Sequence, residues 1–267
     1  MFASLGMYDL PELTAATDAW WAGLRRHLAA QGVPELPEGL TRSGDPVTRL
    51  KADGLVFAQT CGFPLTHALK DHVKLLVTPR YRAAGCAGAT YVSWLVLRRD
   101  DPAKTLADLR GRRVAFNDHG SQSGNNTLRA MVAPLATDGR FFAAAIESGA
   151  HRRSLALVKA GEADVAAIDC VTFALIARAA PAEVAGIRVL CASGAAPGLP
   201  YVTAIGAPDD MVQRLCGGIA AAFADPALAE TRATLLLDGC EVLPPAAYDV
   251  IPAMESAAIA AGYPQLA

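Results

Sequence analysis

The chain has 267 residues, 24 Lys and Arg against 26 Asp and Glu, and a formal net charge of -2. Hydrophobic residues make up 52% and charged residues 19%, which supports a sizeable core and excludes a disordered chain, and the near-neutral balance excludes a phosphate-neutralising nucleic-acid surface. No apolar run approaches the roughly 20 residues of a membrane-spanning helix, so no integral membrane segment is expected.

The opening residues, Met1-Phe2-Ala3-Ser4-Leu5-Gly6-Met7, have no basic n-region and no cleavage site, and read as a buried strand over 2–7. A helix follows over 11–30, with Leu13, Trp20, Leu24 and Leu28 at helical spacing and Gly32 as its stop. A short strand over 55–59, a helix over 64–69 and strands over 74–77 and 91–97 come next. The last of these runs into the charged segment Arg98-Arg99-Asp100-Asp101. The pattern then repeats: a short helix over 105–110, a strand over 113–117, and a helix over 123–135 carrying Leu128, Met131, Val132 and Leu135. Helix 152–160, strand 164–168, helix 171–180 and strand 187–191 follow, then a Gly/Pro-rich link over 193–200, a strand over 201–205 and helices to the end.

Alternating strands and helices predict an α/β protein, with a mostly parallel sheet covered on both faces. The strand over 91–97 and the link over 193–200 read as two connections between lobes. On that basis residues 1–95 and 200–267 form a discontinuous first lobe, and residues 96–199 the second.

None of the six cysteines stands in a CxxC pair, which argues against a zinc ribbon or a thioredoxin motif. Cys61 and Cys86 both neighbour glycines in loop-like stretches. Two readings stand: a Cys61–Cys86 disulfide, contributing about 3.5 kcal/mol by loop closure, or unbridged thiols.

Ligands of open α/β sheets bind beyond the carboxyl ends of the strands. The residues there are Tyr8 and Asp9, Thr60, Cys61 and Gly62, then Asp118, His119, Gly120 and Ser121, and finally Asp169 and Cys170. The richest turn is Gly120-Ser121-Gln122-Ser123-Gly124-Asn125-Asn126-Thr127, between a strand and a well-patterned helix. Glycines allow close backbone approach, and the helix start offers free N–H groups and the positive dipole end to an anion. The same residues also fit a plain N-cap. The turn is neither GxxxxGK[ST] nor GxGxxG, so it is not a nucleotide loop, and neither metal nor cofactor is expected. His151 opens a helix, either as an anion donor or as a helix-terminal residue, and Asp118 and His119 offer an acid/base pair. Neither HExxH nor a G-x-S-x-G elbow is present.

Four segments in order carry a resemblance. They are Leu106-Ala107-Asp108-Leu109-Arg110-Gly111-Arg112-Arg113-Val114-Ala115-Phe116, then Gly120-Ser121-Gln122-Ser123-Gly124, then Ser148-Gly149-Ala150-His151, then Ala160-Gly161-Glu162-Ala163-Asp164-Val165-Ala166-Ala167-Ile168-Asp169. Their order and spacing, with Pro197-Gly198-Leu199-Pro200 as a return crossover, resemble the phosphate/phosphite/phosphonate substrate-binding proteins of ABC transporters. The resemblance covers nearly the whole chain and is weakest after about residue 210.

The resemblance implies a type II periplasmic-binding-protein fold: two α/β lobes joined by two crossover strands, with the ligand cleft between them. It implies a solute-binding protein rather than an enzyme, with a small oxyanion ligand, an ABC permease as partner and a periplasmic location. Ser121, Gln122, Ser123 and Gly124 would form the oxyanion-binding turn, with Gln122 where the family commonly has Thr. His151 matches the ligand histidine, Asp169 stands where an acidic group meets a ligand amine, and Tyr8, Thr60 and Cys61 fall where members line the cleft. Two other readings are an enzyme on the same fold using Cys61 or Asp118/His119, and a leaderless cytoplasmic ligand sensor. The absence of a signal peptide at Met1 favours the latter, or a leader already removed.

Overall fold

The computed structural model of the chain describes residues 1–267. Its strands, in chain order, are β1 (Phe2–Ser4), β2 (Leu55–Gln59), β3 (Val73–Leu75), β4 (Thr78–Tyr81), β5 (Thr90–Tyr91), β6 (Ser93–Arg98) and β7 (Arg113–Phe116). They continue as β8 (Ala144–Glu147), β9 (Val165–Asp169), β10 (Ile187–Ala192), β11 (Ala196–Pro197), β12 (Tyr201–Ala204) and β13 (Leu237–Glu241). The chain divides into two units: one of Met1–Arg82, Ala87–Ala89 and Pro197–Ala247, the other of Ala83–Cys86, Thr90–Ala196 and Tyr248–Ala267.

In the first unit the four-stranded sheet runs β1-β2-β12-β3. β1 and β2 are parallel, while β12 is antiparallel to both its neighbours. Helix Thr14–Ala30 buries Trp20, Trp21, Leu24 and Leu28. The Trp20 indole donates to the Tyr201 hydroxyl at 3.0 Å, and Trp21 stacks on Phe57, so each large ring is packed and the polar atom between them is satisfied. β13 pairs with β4 as a separate ribbon.

In the second unit the sheet runs β10-β6-β9-β7-β8. β7 is parallel to β8 and to β9, while β6 is antiparallel to β9 and β10. Each sheet thus contains one reversed strand, β12 or β6, and each of these lies within a few residues after a crossing of the chain between units. The helix-covered strands β7 and β9 are buried almost throughout, as their apolar runs Val114–Phe116 and Val165–Ile168 require.

Several expectations are corrected. The first strand ends at Ser4, because Gly6 and Met7 turn. The helix predicted over 123–135 is three pieces: a π-helical turn Gln122–Asn126, the α-helix Thr127–Val132 and a tight turn Ala133–Leu135, where Pro134 has no N–H to continue the ladder. The helix Pro46–Leu50 and strands β4, β8 and β13 were not foreseen. Residues 248–267 pack with the second unit, not the first. Ala258, Tyr263 and Leu266 join its core with Phe116, Leu128, Val132 and Phe141.

The Cys61–Cys86 bridge is absent, and all six cysteines are unbridged. The Cys86 sulfur instead faces that of Cys170, 3.6 Å away. No helix is long and apolar enough to cross a membrane.

Candidate functional site

Three parallel strands, β9-β7-β8, lie side by side in the second unit, so their carboxyl ends share one edge. The turn 117–126 leaves β7, the segment leading to His151 leaves β8, and Asp169 ends β9. The topology brings these sequence-distant residues to one end of one sheet, where ligands of α/β folds bind.

The turn after β7 is held from within. Ser121 is its N-cap, with the hydroxyl oxygen accepting from the Gly124 amide at 3.0 Å. Asn125 donates to the His119 carbonyl at 2.8 Å. The amides of Gln122 and Ser123 fall in the first turn, where no intrahelical acceptor exists. A single π-helical turn at this point widens the start of the helix, a feature common at binding sites. Gly124 is closely approached: a Cβ there would lie 1.9 Å from Asn117 Oδ1, a side-chain tip that would have to shift, and 3.2 Å from His151 Cε1. That Asn117 oxygen is enclosed and makes no hydrogen bond.

The segment after β8 is stitched to the end of β7. The amides of Ser148 and Gly149 donate to the carbonyls of Phe116 and Asn117 at 2.8 and 2.7 Å, and the Ser148 hydroxyl bonds Ser154 at 2.7 Å. These bonds place His151, first residue of helix His151–Ala160, beside the turn, with Nε2 2.8 Å from Ser123 Oγ. His151 keeps some surface, but its Nδ1 is enclosed and makes no hydrogen bond of ordinary geometry. Burial pushes the imidazole pKa down to about 4, against a smaller opposing pull from the backbone of Ala167. The positive end of its helix works in the same direction as burial. The ring is therefore neutral at pH 7, with one donor and one acceptor nitrogen. Either Ser123 donates to Nε2 or Nε2–H donates to Ser123.

Gln122 has another task. Its side chain is fully buried, donates to Thr127 Oγ1 at 3.1 Å and accepts from Asn126 at 2.8 Å. Asn126 accepts from Arg129 at 2.9 Å, and Arg129 reaches Glu255 at 3.0 Å and the Pro264 carbonyl at 2.6 Å. The Gln122 side chain therefore belongs to an internal network and only its backbone faces the turn. Asp169 is buried and caps helix Cys170–Ala179, its Oδ1 accepting from Val171 and Thr172 at 2.7 and 2.9 Å. Of the predicted acid/base pair Asp118/His119, the exposed His119 lies 3.7 Å from Glu147. No group of three His, Cys, Asp or Glu is arranged to hold a metal ion.

In the first unit, the parallel strands β1 and β2 likewise bring Tyr8 and the Thr60-Cys61 turn to one edge. Tyr8 is buried edge-on against Tyr81, with ring centroids 5.0 Å apart. The Thr60 amide donates to the Pro200 carbonyl at 3.1 Å, and the Cys61 carbonyl accepts from Leu65 at 3.2 Å. Sequence reasoning missed Asn117 and Ser148, whose roles depend on the neighbouring strand.

The family of periplasmic substrate-binding proteins of phosphonate ABC transporters matches residues 10–238. No curated protein matches the chain. Among solved structures it is similar to the binding protein component of an ABC phosphonate transporter of Pseudomonas aeruginosa, at 15% identity and TM-score 0.78, covering 98% of this chain and 87% of that one. It is similar to PhnD1 of Prochlorococcus marinus, solved with methylphosphonate, at 13% identity and TM-score 0.75, covering 96% and 97%. It is also similar to XAC2383 of Xanthomonas citri, solved with ATP, at 15% identity and TM-score 0.71, covering 98% of each chain. At these identities the likeness is one of fold: the type II periplasmic-binding-protein fold.

Proposed function

The chain belongs to the family of periplasmic substrate-binding proteins of phosphonate ABC transporters, and from that premise we propose that it binds a small phosphonate-like oxyanion and delivers it to an ABC permease. The observation that carries this reading is the turn 121–124 with the Ser123–His151 contact of 2.8 Å beside it. The oxyanion is held by the first-turn amides, the Ser121 and Ser123 hydroxyls and His151. All of these groups are neutral. Such a site binds an anion through directed N–H and O–H groups and the helix start, without a full positive charge.

Tyr8, Thr60 and Cys61 of the first unit meet the remainder of the ligand, and Asp169 fixes the helix behind the oxyanion site. Binding closes the two units, and the closed form is what the permease reads. A thermal-shift screen against methylphosphonate, aminoethylphosphonate, phosphite, phosphate and a sulfonate tests this. A ligand at about 100 times its Kd adds roughly 2.7 kcal/mol, or about 5–10 °C for a chain of this size. A shift with one or more phosphorus oxyanions supports the reading, and no shift with any of them overturns it.

A further inference from the structure

The Cys86 and Cys170 sulfurs, 84 residues apart in the chain, lie 3.6 Å from each other. The placement is held by rigid neighbours. A Cβ on Gly85 would fall 2.7 Å from Trp94 and Val92 and 3.1 Å from Cys170 Cβ, so the backbone next to Cys86 is already pressed against its partner. An S–S bond is about 2.05 Å long, so the sulfurs need to close by about 1.5 Å, a movement within side-chain rotation.

We propose that Cys86 and Cys170 are a thiol pair that closes to an intramolecular disulfide by exchange with a small-molecule disulfide. The two thiols differ in access: Cys86 is partly exposed and Cys170 is buried. Cys86 therefore attacks first. Its thiolate bonds one sulfur of the incoming disulfide and expels the other as a thiolate. Cys170, whose thiol the Cys86 contact and burial keep protonated, then attacks the Cys86 sulfur, its proton passing to the second small thiolate as that is expelled. Both leaving thiolates take up protons. In balance, two protein thiols are oxidised and one disulfide is reduced to two thiols. The hydrogen bond from Cys170 holds the Cys86 thiol below its ordinary value, which supports this order. The bond ties Ala83–Cys86, where the chain crosses between units, to helix Cys170–Ala179.

The test uses the folded chain and oxidised glutathione, followed by alkylation and peptide mapping. The expected result is one linked peptide pair, 86 to 170, with the other four cysteines alkylated. Cys170→Ser should stop at a glutathione adduct on Cys86, forming at least about tenfold faster than any adduct on Cys170 in Cys86→Ser. A different linkage overturns the proposal. So does wild-type protein that keeps six alkylatable thiols, or a stable glutathione adduct at Cys86 with Cys170 present. The wild-type map stands whether or not the serine variants fold.

Discussion

Ser123 Oγ and His151 Nε2 lie 2.8 Å apart, although the two residues follow different strands, β7 and β8. Parallel pairing of those strands, with Phe116 opposite Glu147, is what brings them together. If this pair holds an oxyanion, Ser123→Ala removes one directed bond at a site without compensating charge. Affinity for the oxyanion giving the largest thermal shift should fall by about 1–3 kcal/mol, roughly 5- to 150-fold. Titration calorimetry reads this directly, with circular dichroism to verify the fold. An unchanged Kd would remove Ser123 from the site.

The neutral His151 makes stability depend on pH. Its folded-state pKa of about 4 lies below the ordinary 6.5, so the unfolded chain binds more protons between those values. Stability is therefore full above about pH 6.5 and falls as pH drops towards 4. The residue keeps some exposure, so the loss is at most about 3 kcal/mol. The comparison that isolates it is wild type against His151→Gln, in urea titrations from pH 7 to pH 4. The wild type should lose stability relative to the variant across that window. A constant difference would mean that the imidazole titrates normally.

Gly124 separates a binding role from a folding role. Alanine there puts a methyl group on the Asn117 side chain and against His151. The tip of the Asn117 side chain must shift to admit the methyl group, and His151 is close enough to feel it. Gly124→Ala should weaken oxyanion binding more than tenfold, on the order of 1.5 kcal/mol or more, with a smaller effect on the melting temperature. Adding Asn117→Ala should recover part of the lost affinity. A double variant no better than Gly124→Ala would place the damage elsewhere.

These residues show what was legible in the sequence. β7, β9 and helix His151–Ala160 were readable because apolar runs and periodicity report burial directly. The turn 120–127 stands out in the sequence because glycines, hydroxyls and amides lie between a strand and a helix, a pattern that suits an anion and a plain N-cap alike, and Ser121 does serve as that N-cap. The destination of the Gln122 side chain was not readable. It turns inward because Asn126 and Thr127, four and five residues on, offer it buried partners, and no local pattern reports that. β4 and β13 escaped because Thr78-Pro79-Arg80-Tyr81 and Leu237-Asp238-Gly239-Cys240-Glu241 alternate poorly and pair only with each other. For Cys86 the sequence leaves a bridge to Cys61 and an unbridged thiol both open; the thiol is unbridged, and the approach of Gly85 to Cys170 is a tertiary fact.

The placement of the last twenty residues leads to a prediction that contrasts the two units. Arg129 has 6% of its side chain exposed and ties Asn126, Glu255 and the Pro264 carbonyl together. Removing it takes a donor from three acceptors in one stroke, two of them on the C-terminal segment. Glu255 is 24% exposed and Pro264 is exposed, so both can rehydrate, whereas the buried Asn126 cannot. Arg129→Ala should therefore cost about 2–3 kcal/mol, mostly from the stranded Asn126 oxygen and the lost charge-assisted bonds. Glu255→Gln keeps an acceptor in place and should cost only about 1 kcal/mol. The loss should fall on the unit made of Thr90–Ala196 and Tyr248–Ala267, because that is where the tied segment packs. Hydrogen exchange should show faster opening of β7, β9 and helix Thr127–Val132, with the amides of β2 and β12 unchanged. Equal acceleration in β2 and β12 would mean instead that the C-terminal segment supports the first unit, as the sequence alone suggested.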